Sequence, residues 1–430
     1  MKPHLIVTLS LGADQPDRPH WTEILRNKVG ASADLTPALA ALFRRFSLPV
    51  WIAREYFPGR GAWSPEEFAA GLDRVYRIIL QQDRQIPRSL VEQVQLLPEI
   101  ESVRVGEVGV APIPHVRPAA LGRTDADRAR QAIYLPEAHR ITRGDEGVLV
   151  AVLDTGAALD HPEYRARIQT GADFVDIIDG ASEFLGDFVG ADENASDEVG
   201  HGTHVTGIIA AQGRGMPVGV APACRILPVR VLGALRRGGE TVGAGLIENI
   251  NAGVKYAVDQ GADVINMSLG VRREGGGLPH QEVIDYADRK GVTVVAAAGN
   301  DGSEALYYPG ALRSVITAGA MDPDGKVSGF STYGPQVSLI APGEEILSTY
   351  LGGSYARATG TSHAAPFVAG AAALLQSIAH RRGGRLKPRE IKQILVQTAD
   401  RVDQRMRDRK AGFGRLNVPD ALRLGAELTQ

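Results

Sequence analysis

Apolar residues along this chain fall into short continuous runs, separated by stretches of helical period. Val148 to Leu153, Ile226 to Leu232, Val264 to Met267, Val292 to Ala298 and Val315 to Ala318 are apolar or nearly so. Runs of this length without polar alternation fit strands buried on both faces of a parallel sheet. Between them, Val242 to Asp259 and His280 to Lys290 read as helices. Strand and helix in alternation predict an α/β fold with a doubly wound, mostly parallel sheet. Sites in such sheets gather beyond the carboxyl ends of the strands.

One later run differs. Ser362 to Gln376 is apolar on nearly every side, with Ala364, Ala365, Phe367, Val368 and Leu374 among its residues. A helix that is apolar all round is a buried one. Pro366 is expected in its first turn, where the missing N–H costs nothing. Ser362 then stands at the positive end of the helix dipole, where developing negative charge is favoured. A serine cap on a core helix is the plainer reading of the same residues.

The first part of the chain has a different texture. Leu5 to Leu9 and Val50 to Ala53 read as strands, and a helix starts at Ser64-Pro65-Glu66-Glu67. Serine as cap, proline at the first position and glutamate at the third are its signals. The helix is expected to run through Phe68, Leu72, Val75, Tyr76 and Ile79, with a second one over Ser89 to Leu97. A strand with Val103 and Val105 leads into an extended tail, Val108 to Pro114. Leu5 to Leu11 could also be a short signal-peptide core, but its polar interruptions favour a first strand. Pro112, Pro114 and Pro118, then the charged run Arg123 to Arg130, mark the composition break. The expected division is therefore a smaller α/β domain over 1–115, a linker over 116–132 and a large domain over 133–430.

Composition narrows the possibilities. The 430 residues are 44% hydrophobic, enough for a large core and a second, smaller one. A net charge of −3 gives no reason to expect nucleic acid or a membrane surface as partner. Cys224 is the single cysteine, read as a buried structural thiol, so no intrachain disulfide forms. A reducing cytoplasm is the expected compartment, with secretion as the alternative.

Several polar residues stand at the ends of the apolar runs. Asp154 follows Val150-Ala151-Val152-Leu153, and His201 opens His201-Gly202-Thr203-His204-Val205. Asn300 ends Ala297-Ala298-Gly299-Asn300, and Ser362 lies in Gly360-Thr361-Ser362-His363-Ala364-Ala365-Pro366. A serine hydroxyl needs a base within hydrogen-bond reach to become a nucleophile. Histidine can take that proton near neutral pH, and a buried carboxylate can hold the imidazole in the right tautomer. An amide N–H can steady the negative oxygen of a tetrahedral intermediate.

Together with Asn266-Met267-Ser268-Leu269-Gly270, Phe330-Ser331, Ala341-Pro342-Gly343 and Gly412-Phe413-Gly414-Arg415-Leu416-Asn417-Val418, these motifs resemble those of the subtilisin-like serine peptidases. The Asp, His, Ser chain order is the one that family uses. The likeness runs from about residue 132 to the C-terminus. It implies a serine endopeptidase with Asp154, His201 and Ser362 as its triad and Asn300 as its oxyanion donor. Ser268, Leu269 and Gly270 would offer backbone groups to an extended polypeptide substrate. By the same resemblance residues 1–115 would be a prodomain that inhibits its own enzyme, its tail lying along Ser268 to Gly270. A permanent partner-binding domain is the alternative for that segment. For the whole chain the alternatives are a dormant binding protein on the same fold, or an esterase using the same triad.

Departures from the family pattern stand out. His363 occupies the place where the family usually has methionine, and is read as a wall residue. Ala211 to Val220 is short and poor in oxygen-bearing side chains, where many relatives hold calcium on a longer loop. No metal is assigned and no cofactor is needed for the chemistry; a structural calcium has no clear site. The acidic insertion Asp173 to Glu198 is expected to be solvated, with a weak calcium site or a taste for basic substrates as the sharper options. Tyr307 falls in the loop that shapes the pocket for the residue before the cut. The family often has a small residue there, so a narrowed pocket is expected.

Overall fold

The computed structural model describes residues 2–27, 34–111, 117–118, 128–177, 183–273 and 278–429. Pro112, Pro114, most of the expected linker, Asp179 and Gly275 to Gly277 lie outside them. The apolar runs become the strands of a seven-stranded parallel sheet, in the order Leu339–Pro342, Ile316–Met321, Thr293–Ala297, Val264–Met267, Leu149–Asp154, Arg225–Arg230 and Ala172–Asp173. Alternate residues serve opposite faces. Val150 and Val152 pack into one core with the helices His201–Ala210 and Thr361–Arg381. Leu149, Ala151 and Leu153 pack into the other, against Ile247–Asp259 and Gln281–Arg289.

The central helix Thr361–Arg381 is buried from Thr361 to Ala379. Its small residues are what let the surrounding elements close on it. A Cβ at Gly370 would lie 2.5 Å from Val220 Cβ, a distance no packed side chain tolerates. Pro366 sits beyond the first turn, contrary to the sequence expectation.

A smaller four-stranded antiparallel sheet is built from Val50–Arg54, Val75–Leu80, His4–Leu9 and Ile100–Val105, in that order. The strand His4–Leu9 pairs on both edges, so Leu5 to Leu9 is a structural strand here. Leu5, Val7 and Leu9 face a private core with Leu39, Phe43, Leu90 and Val94. The opposite face contributes Ile6, Leu72 and Val75 to the core that holds Val254 and Ile284 of the large domain.

Two expected helices are corrected. The helix from Pro65 stops at Ala70, because Gly71 adopts a left-handed conformation with φ of 74°. Val75–Leu80, rich in β-branched and aromatic residues, is a strand instead. The helix expected over Val242 to Asp259 begins only at Ile247. Glu240–Leu246 forms a hairpin with Gly233–Arg237. Val108–Ala111 adds to the outer edge of that hairpin, antiparallel, with Ala111 opposite Gly243 and Val108 opposite Leu246. Among the described residues the tail, Val108–Ala111, pairs with Gly243 to Leu246; its remainder, with Pro112 and Pro114, expected along Ser268 to Gly270, lies outside them. A helical reading of residues 242–246 hides that edge. Within the expected linker, Arg117–Pro118 pairs with Ala356 and Arg357, and Arg128–Gln131 is a short helix.

Candidate active site

Asp154 is the last residue of its strand and fully buried. His201 is the first residue of its helix. Their side chains meet: His201 Nδ1 lies 2.6 Å from Asp154 Oδ1. Gly202 permits the approach, since a Cβ there would lie 2.1 Å from the Gly156 carbonyl oxygen. With Nδ1 held as the donor, Nε2 is left as the basic nitrogen, and it has no hydrogen-bond partner among the described residues. Burial by itself lowers the His201 pKa, but the Asp154 carboxylate outweighs it by charge and hydrogen bond, with Asp197 adding to the effect. The net displacement is upward from the ordinary histidine value.

Ser362 is the second residue of the central helix and is buried. Pro366 has no N–H, so the Ser362 carbonyl, four residues earlier, lacks its helical donor. Ser268 fills the gap, its hydroxyl donating to Ser362 O at 2.7 Å. The Asn266 side-chain amide in turn donates to Ser268 Oγ at 2.9 Å. Leu269 turns its side chain into the core below.

Asn300 is tied to the same helix. Its Oδ1 accepts from Thr361 N at 2.8 Å and from Thr361 Oγ1 at 2.9 Å. A backbone N–H can only donate, so this end of the amide is its oxygen and the NH₂ is the outer end. The preceding Gly299 is left-handed, with φ of 107°.

Tyr307 closes on this corner. A Cβ at Gly299 would lie 2.5 Å from Tyr307 Cδ2, and one at Gly270 would lie 3.3 Å from Tyr307 Cβ. The half-buried ring therefore wedges between the two glycines that end the flanking strands. Its hydroxyl donates to Asp301 Oδ2 at 3.4 Å, and Arg272 Nη1 lies 3.5 Å from the same oxygen. Strand pairing of Val271–Arg272 with Tyr307–Tyr308 holds the residue in place.

His363 and His204 form the wall behind His201. Ring centroids are 4.5 Å apart for His204 and His363, edge to face, and 5.5 Å for His201 and His363. His204 shares its Nε2 between the carbonyls of Ile346 and Ala356. Both nitrogens of His363 are without a hydrogen-bond partner among the described residues. Burial first, then its two histidine neighbours, holds the His363 pKa well below the ordinary value. His363 is thus a neutral wall residue.

Among the described residues, several groups at the two places where the sequence raised calcium are turned to other partners. In the loop Ala211 to Val220, the N–H groups of Arg214 and Gly215 point inward, to the buried Glu163 carboxylate at 3.0 and 2.5 Å. Cation sites need converging oxygens, and this loop presents donors. In the acidic insertion, the buried Arg230 guanidinium pairs with Asp173 and with Glu198 at 2.9 Å. It also donates to the Asp187 carbonyl at 2.6 Å. Asp173 is therefore buried and internally paired rather than solvated, while Glu198 pairs with Arg230 from an exposed position. Asp192 and Glu193 remain in solvent contact, in keeping with the expected solvated stretch. Asp197, read from the sequence as part of a solvated loop, instead supports the start of the His201 helix. Its signal is an acid shortly before a helix N-terminus.

Comparison with known proteins follows the same lines. Residues 145–414 match the Subtilase family. The thermophilic serine proteinase of Bacillus sp. (strain AK1) is 39% identical over 274 residues, 63% of this chain and 61% of that protein. The major intracellular serine protease of Bacillus subtilis is 38% identical over 309 residues, 68% of this chain and 91% of the relative. Among solved structures, a protease from Pseudoalteromonas arctica superposes with a TM-score of 0.60 at 30% identity, covering 71% of this chain and all of the other. Among the described residues no helix is long and apolar enough to cross a membrane. With a parallel sheet of the expected kind and a match over more than half its length, the chain belongs to the subtilase family and is a serine-type endopeptidase acting on polypeptides.

Proposed function

We propose that Ser362 is the nucleophile, His201 its general base and acid, and Asp154 the group that orients His201. The single observation that carries this reading is the 2.6 Å contact between Asp154 and His201 Nδ1, which leaves Nε2 as the base. Ser362 Oγ attacks the scissile carbonyl while His201 Nε2 takes its proton, then returns that proton to the leaving amine. The Asn300 NH₂ and the Ser362 N–H receive the negative oxygen of the intermediate. The clamped Oδ1 of Asn300 supports that role, because a fixed donor needs no reorganisation as charge develops. Incubating the chain with a denatured protein and with a small ester tests the reading. Proteolysis lost in Ser362→Ala supports it; ester cleavage alone makes the chain an esterase, and no turnover at all makes it a binding protein.

Residues 1–115 serve in this reading as an intramolecular inhibitor. Support comes from the tail Val108–Ala111, which is bound as an added strand in the manner of an extended peptide. A wild-type chain that purifies short beside an intact Ser362→Ala chain supports self-processing; equal intact masses oppose it. Tyr307 supports a preference for small or medium side chains before the cut, since its ring occupies the space between Gly270 and Gly299. Efficient cleavage after Phe or Tyr in a peptide library opposes this. The Glu163 and Arg230 contacts support a fold that needs no calcium, so chelation is expected to leave the unfolding temperature unchanged. The likeness to the major intracellular serine protease of Bacillus subtilis supports a cytoplasmic location.

A further inference from the structure

We infer that Asp197 is a positioning residue for this reaction: its carboxylate fastens the start of the His201 helix to the strand end that carries Asp154. The inference rests on the assignment of His201 and Asp154 above.

The helix His201–Ala210 begins after Gly200, which has no side chain to cap it. Its first amides still need acceptors. Asp197 supplies one from outside the helix. Asp197 Oδ2 accepts from Thr203 N at 2.8 Å and from Thr203 Oγ1 at 2.7 Å. Its Oδ1 accepts from Val199 N, Gly200 N and Thr155 Oγ1, each at 2.8 Å. Thr155 follows Asp154 directly, and Thr155 Oγ1 also accepts from Gly202 N at 2.9 Å. Thr203 of the first helical turn, Val199 and Gly200 just before it, and one neighbour of the carboxylate that orients His201 thus converge on one side chain. A serine or asparagine in its place could not accept five hydrogen bonds while donating none.

The bonds act as a ruler between the two partners. They fix His201 relative to Asp154 through groups that touch neither imidazole nor substrate. The Asp197 charge also lies close enough to favour protonated His201. The other titratable groups around the ring are Asp154, His204 and His363, with Tyr164 and Tyr350 close to Asp197 on its far side.

The test compares wild type, Asp197→Asn and Thr155→Val, each as the full chain, with active sites counted by a fluorophosphonate. Asp197→Asn removes the charge and turns a donor toward donors. Thr155→Val removes the bridge and keeps the charge. For Asp197→Asn, kcat per counted site is expected to fall by about 10- to 10²-fold at unchanged KM, the cost of a misplaced catalytic group. The acid limb of its kcat/KM profile is expected to move to lower pH. Thr155→Val is expected to lower kcat with the acid limb unmoved. Wild-type kcat and an unmoved acid limb per counted site, with only the unfolding temperature reduced, overturn the inference. If Asp197→Asn does not fold, an unchanged kcat in Thr155→Val overturns it alone. An inactive wild type would instead contradict the peptidase assignment.

Discussion

Two buried polar clusters in this molecule are built on opposite plans. One surrounds His201 and draws Asp154, Ser268, Asn300, Ser362 and His363 from a single body of chain, within residues 154–363. The other lies where the small antiparallel sheet meets the helices Ile247–Asp259 and Gln281–Arg289. There Arg104 lies 3.1 Å from Glu282 and 3.9 Å from Glu248, and His4 lies 3.6 Å from Glu248. The Tyr56 hydroxyl donates to Glu282 at 3.1 Å, as does the Asn251 amide at 3.2 Å. In this second cluster the cation comes from the N-terminal body and the carboxylates from the large one. Burial works against the Glu248 carboxylate, yet His4, Arg104 and Arg77 together bring its pKa down to about 2. None of these contacts of the first cluster is made by the N-terminal body. The second exists only while the two bodies are joined, and separating them leaves carboxylates facing the opened surface.

The strongest way to break this contrast acts on the first cluster alone. Asp154→Asn is expected to lower kcat by about 10⁴-fold through the wrong imidazole tautomer. In wild type the raised His201 pKa means that activity is lost as pH falls through a value above the ordinary histidine one, because the protonated ring cannot accept the serine proton. In Asp154→Asn the acid limb moves to lower pH. A pH–rate profile of both enzymes checks this, and docking of the N-terminal body should be unchanged.

Arg104→Ala acts on the second cluster alone. It leaves Glu248 and Glu282 without their shared cation, at a cost of about 3–5 kcal/mol for breaking a buried pair. Measured by hydrogen exchange in a Ser362→Ala background, the strand His4–Leu9 should exchange faster while the central helix does not. Equal protection of both would mean that the apolar contacts of Ile6, Leu72 and Val75 dominate the join.

Asn300→Ala sharpens the picture inside the first cluster. It is expected to cost about 10²–10³-fold in kcat with little change in KM, the range found when subtilisin's oxyanion asparagine is removed. Steady-state kinetics decides it, and a loss confined to KM would contradict the role. The smallest effect is expected from His363→Met. Its two unpartnered ring nitrogens cost about 1–3 kcal/mol, so thermal unfolding should move upward at unchanged kcat.

Much of this architecture is legible in the amino-acid sequence itself. Strands buried on both faces leave continuous apolar runs, and Val150 to Leu153 or Val294 to Ala297 can be little else. The residues of the first cluster stand at the ends of those runs. Period and partnership are harder to read. Leu72, Val75, Tyr76 and Ile79 satisfy a helical spacing, but Val75, Tyr76 and Ile79 equally satisfy a strand buried on both sides; only the left-handed Gly71 separates the two. Val242 to Leu246 merges by composition into the helix that follows, which hides the edge where the tail binds. Asp197 looks like one more acid in an acidic stretch: four of its donors are local, at the start of the next helix, but the tie to Thr155, 42 residues earlier, is one that no spacing reveals. Helical pattern alone puts Pro366 a turn too early, and with it there the Ser362 carbonyl has no visible need of the Ser268 hydroxyl.

The two short pairings on either side of residues 112–116 have a kinetic consequence. Val108–Ala111 is zipped to Gly243–Leu246, and Arg117–Pro118 to Ala356–Arg357. A nick between them would leave both new ends held by main-chain hydrogen bonds, and the upstream end also by the Arg104 cluster. Cutting and letting go are then separate events with separate clocks. A nicked chain would still migrate as one particle in a native gel while already showing two bands under denaturing conditions. Its activity would appear with a lag set by first-order dissociation, so adding more enzyme would not shorten the wait, and dilution would raise the fraction finally released by opposing rebinding.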